Sequence, residues 1–130
     1  MENLNSSQEV FDKVVSHLRA QNAKSTINSG VGCAYRGENC RKCAIGCLIP
    51  DEEYNPKMEG KPLWDLLRLD HQSSLGLFPE NSKTNEMLRE HFSMLDNMQW
   101  VHDMEPIRNW ENEFKKVAKL HSLIYTPPSA

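Results

Sequence analysis

The sequence predicts a mainly α-helical domain with a small β-hairpin, and three observations lead to this class. Segments 7–21, 83–102 and the stretch from Pro106 onward carry apolar residues at helical spacing. Between the first two lies a cysteine-rich run, 33–45, that turns near Gly37 to Asn39 and is typical of a short hairpin. The length of 130 residues fits one compact domain, which we assign to residues 1–130 with loose ends at 1–5 and 126–130.

The helices follow from capping signals and apolar stripes. Ser6 followed by Glu9 is a capping-box pattern that starts the first helix near residue 7. Pro62 fits the first turn of a short helix, and Asp103 is a capping residue for a helix near Pro106. The apolar positions predicted for the first helix are Val10, Phe11, Val14, Val15 and Leu18, and those of the short helix after Pro62 are Leu63, Trp64, Leu66 and Leu67. The helix over 83–102 has Leu88, Phe92, Leu95, Met98 and Val101. The last helix has Ile107, Trp110, Phe114, Val117, Ala118, His121 and Ile124.

The remaining segments are predicted to be turns and loops. Residues 22–32 are polar and contain two glycines, 51–60 form an acidic connector, and 70–82 are rich in turn residues. The segment 44–49 is compatible with either the second hairpin strand or a short helix, because so short an apolar run has no decisive period.

Composition and charge narrow the function classes. Apolar residues make up 38% of the chain and charged residues 25%, a globular balance. The net charge of −3 and the scattered basic residues do not indicate nucleic-acid binding. No apolar run reaches the roughly 20 residues that span a bilayer, and the start has no secretory pattern. We therefore expect a cytoplasmic protein with reduced cysteines and no membrane partner.

Four cysteines lie within 15 residues and allow two main interpretations, besides a reactive thiol, for which the sequence shows no positioned base. Cys33, Cys40, Cys43 and Cys47 have the spacing C-x6-C-x2-C-x3-C, and four thiolates match the tetrahedral preference of structural zinc. The alternative is that they are small buried hydrophobic residues, since cysteine is among the most buried residue types. Buried thiols are favoured, because in a zinc site Cys43 would have to belong both to the C-x2-C pair and to the C-x3-C pair. The sequence indicates no other cofactor.

The polar candidates include histidine and carboxylate groups. His102 and Asp103 form a pair near the end of a helix, which is typical of either a functional dyad or a histidine at a helix C-terminus. Asp51, Glu52 and Glu53 form an acidic cluster that indicates a solvated turn or a rim for a basic partner. Common nucleotide-binding, zinc-protease and serine-hydrolase motifs are absent from the sequence, so enzymatic activity is not favoured.

The segment Cys33–Tyr54, which reads CAYRGENCRKCAIGCLIPDEEY, and the following Met58-Glu59-Gly60 resemble a group of small uncharacterised bacteriophage and bacterial proteins. A first helix like 10–18, a patch like Gln99-Trp100-Val101-His102-Asp103 and a later Trp110 extend the resemblance over most of 8–120. The resemblance implies a phage or mobile-element setting, in which small proteins commonly bind host proteins and some block host defence. It implies no particular reaction.

Two functional hypotheses follow, and a third concerns zinc. In the first, the protein binds a host macromolecule and modulates or inhibits it. Its expected contact surface consists of Tyr35, Arg36, Glu52, Glu53 and Tyr54. In the second, the protein binds, sequesters or converts a small anionic ligand near the 33–47 hairpin. The residues expected to converge there are Tyr35, Arg36, Lys42, His102 and Asp103. The third is a zinc-stabilised structural module.

Overall fold

The structure, a computed structural model, describes residues 6–27, 32–67 and 77–128. Five α-helices lie in these residues, and they confirm the mainly α class. The helices are α1 (Ser7–Gln21), α2 (Leu63–Leu67), α3 (Lys83–Glu90), α4 (Phe92–Met104) and α5 (Trp110–Leu120). Two strands, β1 (Thr26–Ile27) and β2 (Gly32–Cys33), form an antiparallel pair. None of the described helices is long and apolar enough to cross a membrane.

Helix α1 has the predicted bounds. The Ser6 hydroxyl accepts a hydrogen bond from the Glu9 amide, and the Glu9 carboxylate accepts one from the Ser6 amide, which completes the capping box. The predicted stripe from Val10 to Leu18 is buried. Asn22 ends the helix in the left-handed conformation, and its amide donates to the Leu18 carbonyl.

The single helix predicted over 83–102 is in fact two helices, α3 and α4. His91 separates them, because its φ of −109° and ψ of 25° leave the helical region. The side chain of His91 is buried and its Nδ1 lies 2.9 Å from the Ser7 hydroxyl, so the break is fixed against the start of α1. The apolar stripe was predicted correctly despite the break, since Leu88, Leu95, Met98 and Val101 are all buried.

The predicted start of the last helix was wrong in detail. Asp103 lies within α4, and a 3₁₀ turn (Ile107–Asn109) precedes α5. Trp110, Phe114, Val117 and Ala118 are buried as predicted, whereas Ile107 and Ile124 are exposed because they lie beyond the ends of α5. On α2, Leu63, Leu66 and Leu67 are buried but Trp64 is 49% exposed.

The predicted hairpin is reduced to one bridge. Arg36 and Lys42 form an isolated antiparallel bridge, and the turn between them contains Asn39 and Cys40 with positive φ. The two-residue ladder lies earlier, where Thr26 pairs with Cys33, in a stretch predicted to be mainly loop. Gly37 lies so close to this ladder that a Cβ would come within 2.5 Å of the Ser25 hydroxyl oxygen. Residues 46–48 form a short 3₁₀ turn.

Helix α4 is at the centre of the described packing. It contacts α1, α2, α3 and α5, and its residues Leu95 and Met98 are fully buried. At the C-terminal end, 126–128 are exposed, although the Thr126 carbonyl accepts a hydrogen bond from Arg19. The other residues predicted to be loose, 1–5 and 129–130, lie outside the described residues, as does part of the predicted loop at 70–82.

Candidate functional site

The His102–Asp103 pair joins a fully buried imidazole to a half-buried carboxylate. The Ser25 backbone amide donates to Nε2 of His102 over 2.9 Å, and Nδ1 of the same ring lies 2.7 Å from the Asp103 carboxylate. An amide can only donate, so Nε2 carries no proton. Nδ1 therefore carries the proton and donates it to Asp103. With His102 fully buried and Nε2 occupied, this imidazole cannot serve as a general base.

The thiol of Cys33 lies beside this pair. Potential ligand atoms of Cys33, His102 and Asp103 all lie within 4.8 Å of one another, a spacing that suits a metal ion. Burial raises the pKa of the Cys33 thiol to about 11, and the negative charge of Asp103 adds to the effect. Cys33 is therefore protonated at neutral pH, unlike a nucleophilic cysteine.

The donor chemistry of this group does not fit a metal in the observed geometry. A histidine that binds a metal through one nitrogen normally carries its proton on the other nitrogen. In His102 that second nitrogen is Nε2, where the Ser25 amide points its own proton. A metal on Nδ1 would leave the ring as an imidazolate, so binding would require the β1 segment to move.

The four-cysteine zinc site is not formed in the structure. Cys33 and Cys43 line one cavity, whereas Cys40 and Cys47 line another, and the metal-sized group found among the described residues contains only Cys33. Cys43 is fully buried, and its sulfur accepts a hydrogen bond from the Gly46 amide. Burial raises the pKa of the Cys47 thiol to about 12. For Cys43 and Cys47 the buried-thiol interpretation describes the geometry better.

Glu59 is the centre of the network that joins the predicted contact residues. Its carboxylate accepts hydrogen bonds from the backbone amides of Tyr35 and Arg36 at 2.9 and 3.0 Å. It also accepts one from the Tyr54 hydroxyl at 2.6 Å. Burial and this bond to Glu59 raise the pKa of Tyr54 to about 12. Sequence analysis noted Glu59 only as part of the resemblance, since one glutamate in an acidic connector gives no signal of its role.

Arg36 belongs to the same network rather than to a ligand site. Its guanidinium forms an ion pair with Asp51 at 2.7 Å, donates to the Ile49 carbonyl and stacks over the Tyr54 ring. Arg36 lines neither of the two cavities described below. Arg36 and His102 thus have separate internal partners, and neither side chain lines the two cavities described below.

The acidic cluster has separate structural roles. Glu53 accepts a hydrogen bond from the Ser82 hydroxyl at 2.6 Å and so connects the acidic segment to the residue that caps α3. Asp51 pairs with Arg36, and Glu52 is exposed. The three carboxylates therefore differ in their internal partners, and Asp51 and Glu52 remain exposed to solvent.

Two concavities on the described surface contain residues of the predicted site. The first, which we call the Tyr35 cavity, has a volume of about 260 Å³ and is lined by Cys33, Ala34, Tyr35, Cys43, Glu59, Gly60, Lys61, Pro62, Gln99 and Asp103. The second, which we call the Lys13–Lys42 concavity, has a volume of about 450 Å³ and is lined by Lys13, Ser16, His17, Cys40, Lys42 and Cys47. Among the predicted site residues, Lys42 is thus separated from Tyr35 and Asp103.

A third feature is the outward face of α4. Trp100 and Met104 are one turn apart on this face and are 51% and 63% exposed. Trp64 on α2, a helix that contacts α4, is 49% exposed. Trp64 was predicted from sequence as one of the apolar positions of this short helix, and apolar character alone does not distinguish a buried from an exposed position. No family model, curated protein or solved structure matches the chain.

Proposed function

We propose that the protein is a protein-binding domain that contacts its partner through the outward face of α4. The observation that carries this proposal is the exposure of Trp100 and Met104 on the same side of one helix. Tryptophan is enriched among the residues that dominate binding energy at protein interfaces, and methionine is enriched at interfaces in general. Most of the contact residues expected from the sequence are instead occupied by the Glu59 and Arg36 network.

The charge of α4 indicates the kind of partner. The helix contains Asp96 and Asp103 and has neither lysine nor arginine. Asp96 is exposed beside the outward face. Asp103 is bound to His102 and Gln99, so Asp96 supplies the negative charge beside the apolar face. Such a face complements a protein surface that has a basic residue next to an apolar pocket. Binding through Trp100 and steering by Asp96 support this partner class.

The resemblance to bacteriophage proteins supports a setting for this interaction. In that setting the partner is a bacterial host protein whose activity the domain modulates or inhibits. The absence of an available base at His102 and the protonated Cys33 support a binding role over a catalytic one.

Site-specific photo-crosslinking can identify the partner. A photoreactive residue at Ser93, which is exposed on α4 about two turns before Trp100, is compared with one at Asn112, which is exposed on α5. We expect a crosslinked species that is specific to position 93 in bacterial lysate. The captured protein is then purified, and its affinity is measured by calorimetry.

The decisive comparison uses two alanine variants of exposed apolar residues. Trp100→Ala is expected to weaken binding of the purified partner by about 30-fold, the effect of a hot-spot residue. Leu120→Ala removes an apolar side chain that is 70% exposed on α5, and it should leave the affinity unchanged. Equal affinities of wild type and Trp100→Ala would rule out this face as the contact surface.

A further inference from the structure

The Lys13–Lys42 concavity differs from the α4 surface in both position and charge. Helix α1 contributes Lys13, Ser16 and His17, which share one side because they are three and four residues apart. The opposite wall is the bridge residue Lys42 together with Cys40 and Cys47. The concavity is therefore lined by two lysines and a serine, with no carboxylate among its lining residues.

The backbone of Lys42 is held firmly against α1. The Gln21 side chain accepts from the Lys42 amide at 2.8 Å and donates to the Lys42 carbonyl at 2.9 Å. Nε2 of His17 lies 2.8 Å from the same carbonyl, which can only accept, so Nε2 carries the proton. These bonds position Lys42 opposite Lys13 without using either ammonium group.

The two ammonium groups have little internal compensation. Lys42 Nζ lies 4.0 Å from Asp51, and that carboxylate is already paired with Arg36 at 2.7 Å. Lys13 is exposed and has neither an ion pair nor a hydrogen bond with the residues that the structure describes. Both positive charges act on the Cys47 thiol and oppose the dominant effect of burial on its pKa. The charges of Lys13 and Lys42 therefore both act at Cys47, which is one of the residues that line the concavity.

This arrangement selects a small doubly charged oxyanion. Each ammonium group offers up to three donors, and the Ser16 hydroxyl can add another. A tetrahedral dianion can accept bonds from both lysines at once, whereas a monocarboxylate offers half the charge. The exposed large apolar residues among the described ones lie on other elements, such as Ile27 on β1 and Trp64 on α2. The concavity therefore lacks the apolar rim that lipid insertion would use.

We infer that the Lys13–Lys42 concavity is a binding site for a soluble phosphate-class dianion, formed by Lys13, Ser16 and Lys42. This site is independent of the partner surface proposed on α4. Because the two sites share no residue, either can be present without the other.

The test is a titration of the ¹⁵N-labelled protein with inorganic phosphate at constant ionic strength, followed by amide chemical shifts. We expect saturable shifts at Ser16, His17, Cys40, Lys42 and Cys47, and weaker binding of acetate. Lys13→Met and Lys42→Met retain most of the side-chain stem, and each should weaken phosphate binding about fivefold, the effect of losing one ion pair in water. Lys119→Met, which removes an exposed charge on α5, should have no effect.

Several results would overturn the inference. Non-specific ion association would be shown by chemical-shift changes that do not saturate. It would also be shown by changes of wild-type size in the Lys13→Met and Lys42→Met variants, provided that the spectra of these variants show a wild-type fold. Equal binding of acetate would exclude the two-lysine geometry. Sedimentation with vesicles containing phosphatidic acid, but not with pure phosphatidylcholine vesicles, would show that the phosphate group recognised is a lipid headgroup and not a soluble ligand.

Discussion

The Tyr35 cavity and the Lys13–Lys42 concavity differ in where their polar groups find partners. In the Tyr35 cavity, Glu59 accepts three hydrogen bonds from within the chain. Gln99 is bound at both ends, since it accepts from the Ile45 amide and donates to Asp103. In the Lys13–Lys42 concavity the backbone is equally well bound, but the charged ends of the two lysines remain available to solvent.

The comparison distinguishes polar residues whose partners lie within the chain, and which stabilise the fold, from polar residues that are available to bind a ligand. Buried polar groups must be satisfied internally, because an unsatisfied one costs roughly 1–3 kcal/mol. Tyr35 and Glu59 meet that requirement with one another and with the connector. Arg36 meets it through its two terminal nitrogens, while its buried Nε has no hydrogen-bond partner among the described residues. Lys13 and Trp100, which stand out less in sequence, remain available for a ligand or a partner.

The largest expected effect comes from a glycine behind the Tyr35 cavity. A Cβ on Gly46 would lie 2.0 Å from the Tyr35 carbonyl oxygen. Backbone cannot yield to that overlap as a flexible side chain can, so Gly46→Ala should cost more than about 4 kcal/mol, a large part of typical domain stability. We expect loss of the cooperative unfolding transition in urea.

Gly60→Ala is the matched control on the same cavity. Gly60 has a φ of 81°, but a Cβ there would meet no atom within 4 Å. Only backbone strain is added, and the expected cost is about 1 kcal/mol. Similar stability of Gly46→Ala and wild type would show that the close approach of Tyr35 to Gly46 is not essential to the cavity wall.

A pair of tryptophans gives the next largest difference. Trp110 is 3% exposed, its indole donates to the Glu105 carbonyl and its ring packs 5.9 Å from His102. Trp110→Ala should cost about 3–5 kcal/mol, whereas Trp100→Ala should cost less than about 1 kcal/mol. Guanidinium unfolding followed by circular dichroism measures both, and equal costs would contradict the assignment of Trp100 to a binding surface.

Helix positions were well predicted from sequence where capping and period agree. The Ser6–Glu9 pattern located the start of α1, and the stripe of Leu88, Leu95 and Met98 identified buried residues on both sides of a break. The break itself could not be predicted, because it depends on the contact of His91 with Ser7, 84 residues earlier in the chain. A pattern of local spacing carries no information about such a contact.

The site residues were harder to predict for the same reason. Lys42 was a candidate binding residue in the sequence, but its neighbours Lys13 and His17 come from α1, where they resemble any solvated helix face. Arg36 and His102 were grouped by chemical type, although their internal partners Asp51 and Ser25 occupy them. Sequence reveals which groups could bind a ligand, and tertiary contacts decide which remain free.

A smaller effect is expected at the centre of the Tyr35 network. Glu59→Gln replaces one acceptor oxygen with an amide donor that faces donors of Tyr35, Arg36 or Tyr54. The expected cost is about 2–3 kcal/mol, as for hydrogen bonds to a charged group. Glu52→Gln, which changes the same charge on an exposed residue of the acidic connector, should be neutral in the same urea unfolding experiment. A neutral Glu59→Gln would mean that the network does not stabilise the cavity.

The smallest expected effect on stability concerns the ion pair between Arg19 of α1 and Glu111 of α5. Arg19 donates two hydrogen bonds of 2.8 Å to Glu111, and this contact lowers the pKa of the Glu111 carboxyl, with a further contribution from Tyr125. Because the folded-state pKa is lowered, the stabilisation is present above the unfolded-state pKa of about 4.3 and is lost as the pH falls through the folded value. The pair is solvent-exposed, so Glu111→Gln should cost only about 0.5 kcal/mol at pH 7.

The pH dependence gives this last prediction its test. As the pH falls through the folded-state pKa, Glu111 becomes protonated and resembles glutamine, so the stability difference between wild type and Glu111→Gln should shrink when urea unfolding is repeated at successively lower pH. Glu90→Gln, on an exposed residue of α3, corrects for the loss of one negative charge. A difference that does not change as the pH falls would assign the effect to packing. A stability difference that disappears as the pH falls would show that Arg19 of α1 is engaged in an internal ion pair. Lys13, six residues earlier on the same helix, has no such partner among the described residues.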